Sequence, residues 1–264
     1  MLWGKPLKNE TRSVILVADD EPVNLKIISL MLEKLEYNSV TAINGEEALE
    51  KAKTTDPVLA FIDIIMPKMN GFETARELRS SGFGNPIIAV TATFLPEDEE
   101  KRKESGINDV LIKPINLSEI KRMLGKWLPA EKKPSKEFPE QSPIPASGSS
   151  VFSPKELFNA FTNDDETVLP LLARFIERTS SQLDNIRALM TSGNWSEARR
   201  DAHTIKGTAS NMGGQELSKA ASILELACVN ASAGEAEAAY PHVLDAFAKF
   251  KIEAEEFIQN KKAR

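Results

Sequence analysis

Four short apolar runs in this chain each end on a group that can do chemistry. Asp19 and Asp20 follow Val14-Ile-Leu-Val-Ala18, and Asp63 lies within Phe61-Ile-Asp63-Ile-Ile65-Met66-Pro67-Lys-Met-Asn-Gly71. Thr91 follows Pro86-Ile-Ile-Ala-Val90, and Lys113 follows Asp109-Val-Leu-Ile112. Carboxylate oxygens with little sulfur or imidazole nearby suit a hard cation such as Mg²⁺, held by one or two carboxylates and the oxygens of a phosphate. A lysine and a hydroxyl facing that metal would bind the remaining oxygens of a phosphoryl group. Asp63 could then act as nucleophile and form an aspartyl-phosphate. An acidic residue at a strand end can merely open a solvated loop. That accounts for any one of these groups, but poorly for five in the right order.

The elements that must position them can be read from the same runs. Each short β-branched run reads as a fully buried strand. Helical patterns lie between the runs, so the strands should be parallel, with every reactive group at the C-terminal edge of one sheet. In open α/β sheets that edge is where ligands bind.

Residues 13–128 resemble a response-regulator receiver domain. The resemblance rests on Asp19-Asp20, on Asp63 with Met66, Pro67 and Gly71, on Thr91-Ala92 and on Lys113-Pro114. It implies a doubly wound, flavodoxin-like α/β fold with five parallel strands in the order 2-1-3-4-5. It also implies that Asp20, Asp63 and the backbone carbonyl of Ile65 bind Mg²⁺ directly and that Asp19 acts through water. Thr91 and Lys113 would contact the phosphoryl group, and the Lys113-Pro114 peptide would be cis. Two positions depart from the family. Val110 stands where receivers usually carry an aromatic switch residue, which suits a phosphate conduit better than an on/off output. Ile65 has no polar side chain to orient attacking water, so slow self-hydrolysis is expected.

Chain length alone suggests a second domain. Residues 129–150 are dominated by proline, serine and charge and carry no apolar period, so they read as a linker. As a flexible coil it would span on the order of 25 Å. From Val151 to the end, helical periodicity takes over. Ser153-Pro154-Lys-Glu156 carries the signature of a capped helix start, and further helices are expected over 166–192, 195–212, 215–230 and 236–260. Amphipathic helices with short joints imply an all-α antiparallel bundle.

His203 carries the chemistry of this half. Ala198, Ala202, Ile205, Ala209 and Met212 form one apolar stripe, and His203 points away from it, beside Arg199, Lys206, Gly207 and Ser210. A lone histidine is usually a hydrogen-bonded core or surface residue. Here Lys206 at i+3 could neutralise an anion on the imidazole. Gly207 at i+4 costs roughly 1 kcal/mol relative to alanine in a helix interior, and could leave room above the ring for a docking partner. The segment from Ala202 to Gly213 resembles the phosphoacceptor helix of a histidine phosphotransfer (HPt) domain. That likeness makes His203 the phosphoacceptor, with Lys206 and Gly207 in support. His242 has no comparable neighbours and reads as structural or merely exposed.

A net charge of −6 argues against nucleic acid as a main partner. Arg199, Arg200 and Lys206 read equally as a surface for an acidic receiver or as a solvated helix face. Cys228 is the single cysteine, so an internal disulfide is impossible and a buried thiol in a reducing compartment is expected. No apolar run is long enough to cross a membrane and the N-terminus lacks a signal-peptide pattern. The chain itself therefore reads as cytoplasmic, although a parent hybrid kinase carrying it could be membrane-anchored. No P-loop or kinase nucleotide lid is present, so the phosphoryl group must arrive from an upstream histidine kinase or a small donor. The expected role is a two-station phosphorelay that loads Asp63, then His203, then a downstream response-regulator receiver, as at the C-terminus of hybrid histidine kinases. Two alternatives are a bundle that sequesters a partner receiver without transfer, and a Mg²⁺-dependent phosphohydrolase.

Overall fold

The computed structural model describes residues 12–94, 96, 98–128, 151–154 and 165–263. The expected linker at 129–150, and the body of the helix expected to open at Ser153, lie outside them.

The first half alternates strand and helix: β1 (Val14–Ala18), α1 (Pro22–Lys34), β2 (Asn38–Ala42), α2 (Gly45–Thr55), β3 (Leu59–Asp63), α3 (Gly71–Ser80), β4 (Ile87–Thr91), α4 (Asp98–Ser105), β5 (Asp109–Ile112) and α5 (Leu117–Trp127). All neighbouring strands pair in parallel in the order β2-β1-β3-β4-β5. This is the flavodoxin-like receiver topology. β3 and β4 are buried at every position, as central parallel strands with both faces covered must be. β2 is an edge strand with only Ala42 buried.

Helix starts are set by side-chain caps. Asn44, Asn70 and Asn116 each accept a hydrogen bond from the backbone N–H three residues on, and the Glu73 carboxylate in turn accepts from the Asn70 backbone N–H to complete a capping box. Gly71 is required by close packing. A Cβ there would stand 2.4 Å from the carbonyl oxygen of Asp63, so the chain leaving β3 can fold back over its own strand end only with glycine at this position. The Lys113-Pro114 peptide is cis, as the receiver resemblance implies.

The second half is all helical: α6 (Asp165–Thr191), α7 (Trp195–Asn211), α8 (Gln215–Val229) and α9 (Ala233–Lys262). The expected stripe Ala198, Ala202, Ile205, Ala209 and Met212 is fully buried. It packs with α8, with the inner face of α9 (Val243, Phe247, Phe250) and with Phe175 of α6. Phe250 lies edge-on between Phe152 and Phe175, with ring centroids 5.3 and 5.4 Å away. Of the apolar stretch around Cys228, Leu224 and Cys228 turn inward, whereas Ile223 and Leu226 are exposed. An α-helix places residues one and two apart on different faces, so that stretch could not all be buried. His242 is exposed, several turns into α9.

The two halves touch. Buried apolar side chains run without a break from the α1/α5 layer of the receiver into the helical bundle.

Candidate functional site

The parallel sheet delivers the expected groups to one edge. Asp19 and Asp20 follow β1, Asp63 ends β3, Thr91 ends β4 and Lys113 follows β5. Carboxylate oxygens of Asp19, Asp20 and Asp63 lie within 4.8 Å of one another. Lys113 Nζ donates to Asp63 Oδ2 at 2.6 Å and to Asp19 Oδ2 at 2.9 Å. Asp63 Oδ1 accepts from the backbone N–H of Ile65 at 3.1 Å. Asp19 Oδ1 accepts from Glu21 N and from Asn24 Nδ2. The Thr91 hydroxyl donates instead to the carbonyl of Thr93 at 2.8 Å, so it must rotate before it can meet a group on Asp63.

The electrostatics of this cluster call for a cation. Burial, together with the Asp19 and Asp63 carboxylates, pushes Asp20 up to about 8. Burial also raises Asp19 to about 6, against the pull of Lys113. Burial disfavours the Lys113 ammonium, but the two carboxylates outweigh it and hold it above its ordinary value. With all three carboxylates ionised, one ammonium leaves an excess of two negative charges, and that excess helps to hold Asp20 and Asp19 up. A divalent, oxygen-preferring ion matches that excess in both charge and donor type. The residues present therefore fit Mg²⁺.

His203 is built just as deliberately. It lies on α7 and is only 3% exposed. Its Nδ1 lies 2.8 Å from Glu225 Oε1 on α8, and the other oxygen of Glu225 takes Lys206 Nζ at 3.0 Å. A carboxylate at Nδ1 fixes the proton there, so Nε2 keeps its lone pair. Nε2 is buried and has no hydrogen-bond partner. This is the state a nitrogen nucleophile needs. Burial works against the Glu225 charge, but the hydrogen bond from His203 Nδ1, with the Lys206 ammonium, brings its carboxyl down to about 2.

That depressed carboxyl has a pH signature. The stabilisation from charged Glu225 is complete above its ordinary value of 4.5 and is lost as pH falls towards about 2. The gap in thermal midpoint between the native chain and Glu225→Gln should shrink as pH falls through that window. A gap that stays constant there would show that the Glu225 charge does not stabilise the fold.

The notch at Gly207 is occupied rather than open. A Cβ at Gly207 would meet Lys113 Cδ at 3.1 Å, Lys113 Nζ at 3.6 Å and Ala92 Cβ at 3.8 Å. Lys206 Nζ also donates to the hydroxyl of Thr93. One turn of α7 thus carries His203 and lies directly on the lysine that binds Asp63. Of the three basic residues read as a possible receiver surface, Lys206 makes that contact and Arg199 is exposed.

Further contacts were not legible in the sequence. Asn211 Oδ1 accepts from the backbone N–H of Ile115 at 2.8 Å, and Asn211 Nδ2 donates to Asn24 Oδ1 at 3.2 Å. Arg178 on α6 pairs with the buried carboxylate of Glu21 at 2.5 Å. Glu225 stands on a different helix from His203. A capping position such as Glu21 and mid-helix residues such as Asn24 and Arg178 carry no local signal of a cross-domain role.

Comparison with known proteins agrees with this anatomy. Residues 15–125 match the response regulator receiver domain and residues 170–260 match the Hpt domain. The sensor histidine kinase RcsC of Escherichia coli (strain K12) is 33% identical over 120 residues, covering 46% of this chain and 13% of that protein. The virulence sensor protein BvgS of Bordetella bronchiseptica is 26% identical over 214 residues, covering 77% of this chain and 17% of that protein. The chain therefore spans less than a fifth of the length of either relative. The crystal structure of the receiver domain of sensor histidine kinase PA1611 from Pseudomonas aeruginosa PAO1 is 34% identical, covers 44% of this chain and 97% of that one, and superposes with a TM-score of 0.42. No helix among the described residues is long and apolar enough to cross a membrane. The chain carries a response regulator receiver domain followed by an Hpt domain, and with them a role in two-component phosphorelay signalling.

Proposed function

We propose that Asp63 and His203 are the two phosphoryl stations of this relay, with the receiver over residues 13–128, a linker over 129–150 and the HPt bundle over 151–264. The observation that carries the reading is the placement of the His203 turn, through Gly207 and Lys206, against Lys113 and Thr93 at the acidic edge. Asp20, Asp63 and the Ile65 carbonyl would hold Mg²⁺, with Asp19 acting through water. When bound, the ion neutralises charge on the phosphoryl oxygens. An upstream histidine kinase or a small acyl phosphate would load Asp63. Lys113, and Thr91 once turned from Thr93, would bind the phosphoryl oxygens. The Nε2 lone pair of His203 then attacks phosphorus, an N–P bond forms, and the Asp63 carboxylate leaves with the electron pair of the broken P–O bond. Nε2 carries no proton at the start, so no general base is needed. His203 finally passes the group to a receiver on another protein. The reading places the chain in the cytoplasm, where a donor kinase finds ATP.

Acetyl phosphate with Mg²⁺ tests it directly. The native chain should yield base-labile label on Asp63 and acid-labile label on His203. Asp63→Asn should lose both, and His203→Gln should keep the first alone. Label at neither position, with the protein folded and Mg²⁺ present, would refute the reading.

Ile65 bears on lifetime. Its side chain offers no polar atom to orient water at the acyl phosphate, so Ile65→Asn should speed hydrolysis by about tenfold. The decay should be followed in a His203→Gln background, where transfer cannot mimic hydrolysis. An unchanged decay would remove water positioning as the cause of a long-lived phosphoryl group.

A further inference from the structure

We propose that the HPt face around His203 is occupied at rest by the receiver of its own chain, and that this intrachain dock commits the first transfer while excluding any second receiver until it opens. The inference rests on the relay reading above and concerns how that relay is gated.

Four observations carry it. First, Lys113 fills the gap above Gly207, so a foreign receiver cannot approach the same notch. Second, His203 is buried although its Nε2 has no partner, so in this arrangement the nucleophile is closed to any other protein. Third, a continuous polar chain crosses the boundary. Asp19 accepts from Asn24, Asn24 accepts from Asn211, and Asn211 accepts from the N–H of Ile115. Asn24 and Asn211 are both nearly fully buried, and each side-chain amide is satisfied by this arrangement. The chain runs from the HPt helix to a carboxylate of the cation site, so events at that site bear on the latch. Fourth, the Glu21 side chain is 2% exposed and its carboxylate pairs with Arg178 of the bundle. A buried carboxylate with its partner removed is strongly disfavoured, so this pair favours the matched surface over others.

The consequence is an order of events. Transfer from Asp63 to His203 proceeds within the closed chain, independent of protein concentration. Onward transfer requires the domains to part, because both receivers need one face. A tether places the chain's own receiver at an effective concentration near millimolar, which a free receiver at micromolar concentration does not match.

Complementation with charge swaps tests this. A full-length Asp63→Asn chain, able only to accept, is mixed with a full-length His203→Gln chain, able only to load, at about 10 μM each with acetyl phosphate and Mg²⁺. Phosphohistidine should form about a hundredfold more slowly than in the native chain. Arg178→Glu is then added to the acceptor chain and Glu21→Arg to the loading chain. Each chain now repels its own dock, while the pair between chains is restored. Transfer between chains should rise about tenfold over the unswapped mixture. Label on Asp63 of the loading chain, read in the same reaction, shows that Glu21→Arg still loads. An unswapped mixture as fast as the native chain would overturn the intrachain dock, and so would a swapped mixture that gains nothing. If Asp63 is labelled but His203 never is, even in the native chain, the relay reading itself fails. Small-angle scattering provides a check independent of chemistry. The radius of gyration should increase in Arg178→Glu and in Asn211→Ala, and native values in both would also overturn the dock.

Discussion

Glu225→Ala is expected to slow phosphoryl entry at His203 about a hundredfold, although Glu225 lies on another helix and never meets the phosphoryl group. Its carboxylate holds the proton on Nδ1 and so keeps the lone pair on Nε2. Without it the imidazole can adopt the other tautomer, in which Nε2 carries the proton and cannot attack. Glu225 also anchors Lys206 through its second oxygen, so the ammonium would lose its fixed place beside the ring. Glu225→Gln separates these roles. The amide oxygen can still accept from Nδ1, so the tautomer survives while the charge is lost. The expected loss for glutamine is less than about tenfold. The rate of His203 labelling from a fixed pool of Asp63-phosphate reads both variants. Equal losses for alanine and glutamine would mean that charge, not tautomer, is what Glu225 supplies. No loss in either would remove it from the mechanism.

Gly207→Leu should have a comparable effect for a different reason. The alanine variant places a Cβ 3.1 Å from Lys113 Cδ, the flexible part of a lysine that can shift by a few tenths of an ångström. Alanine should therefore cost only a few-fold. Leucine cannot be accommodated that way. It must push Lys113 away from Asp63 or lift α7 off the sheet edge, and a misplacement near 1 Å costs about a hundredfold in transfer. Helix propensity works in the opposite direction, favouring leucine over glycine by about 0.5–1 kcal/mol. The signature is thus a chain that transfers poorly while its thermal midpoint holds or rises. A leucine variant that transfers like the native chain would show that the notch does not need to be empty.

These effects differ in how far the sequence foretells them. The strands ending in Asp63, Thr91 and Lys113 were legible because a central parallel strand is buried on both faces and reads as an unbroken apolar run. β2 was not readable residue by residue. It is a half-exposed edge strand, Asn38-Ser-Val-Thr-Ala42, with no reactive group at its end. His203 was legible because its support, Lys206 and Gly207, lies within one helical turn. Glu225 was not, since helical periodicity gives each helix a buried face but not which residue of another helix faces it. The same reason hides Arg178, Asn211 and Asn24, whose partners lie in the other domain. The sequence pointed to Gly207 as an opening, and the structure shows which side chain enters it.

The way the two halves are joined has a consequence of its own. α5 begins close to Ile115 at the active edge and runs away from it, and Trp127 at its far end donates to Asp109 at the start of β5. The second half resumes at the opposite level, where Ser153 N donates to the carbonyl of Gly213, two residues beyond Asn211. The end of α5 and Ser153 are therefore set apart by roughly 16 Å, the length of α5, which an extended chain covers in about five residues. Residues 129–150 provide several times that length. Halving that segment would still span the gap and would favour the closed arrangement by only about 0.6 kcal/mol. The contour length of this joint, which touches neither station, thus works as a fine adjustment on how long the relay keeps its cargo to itself.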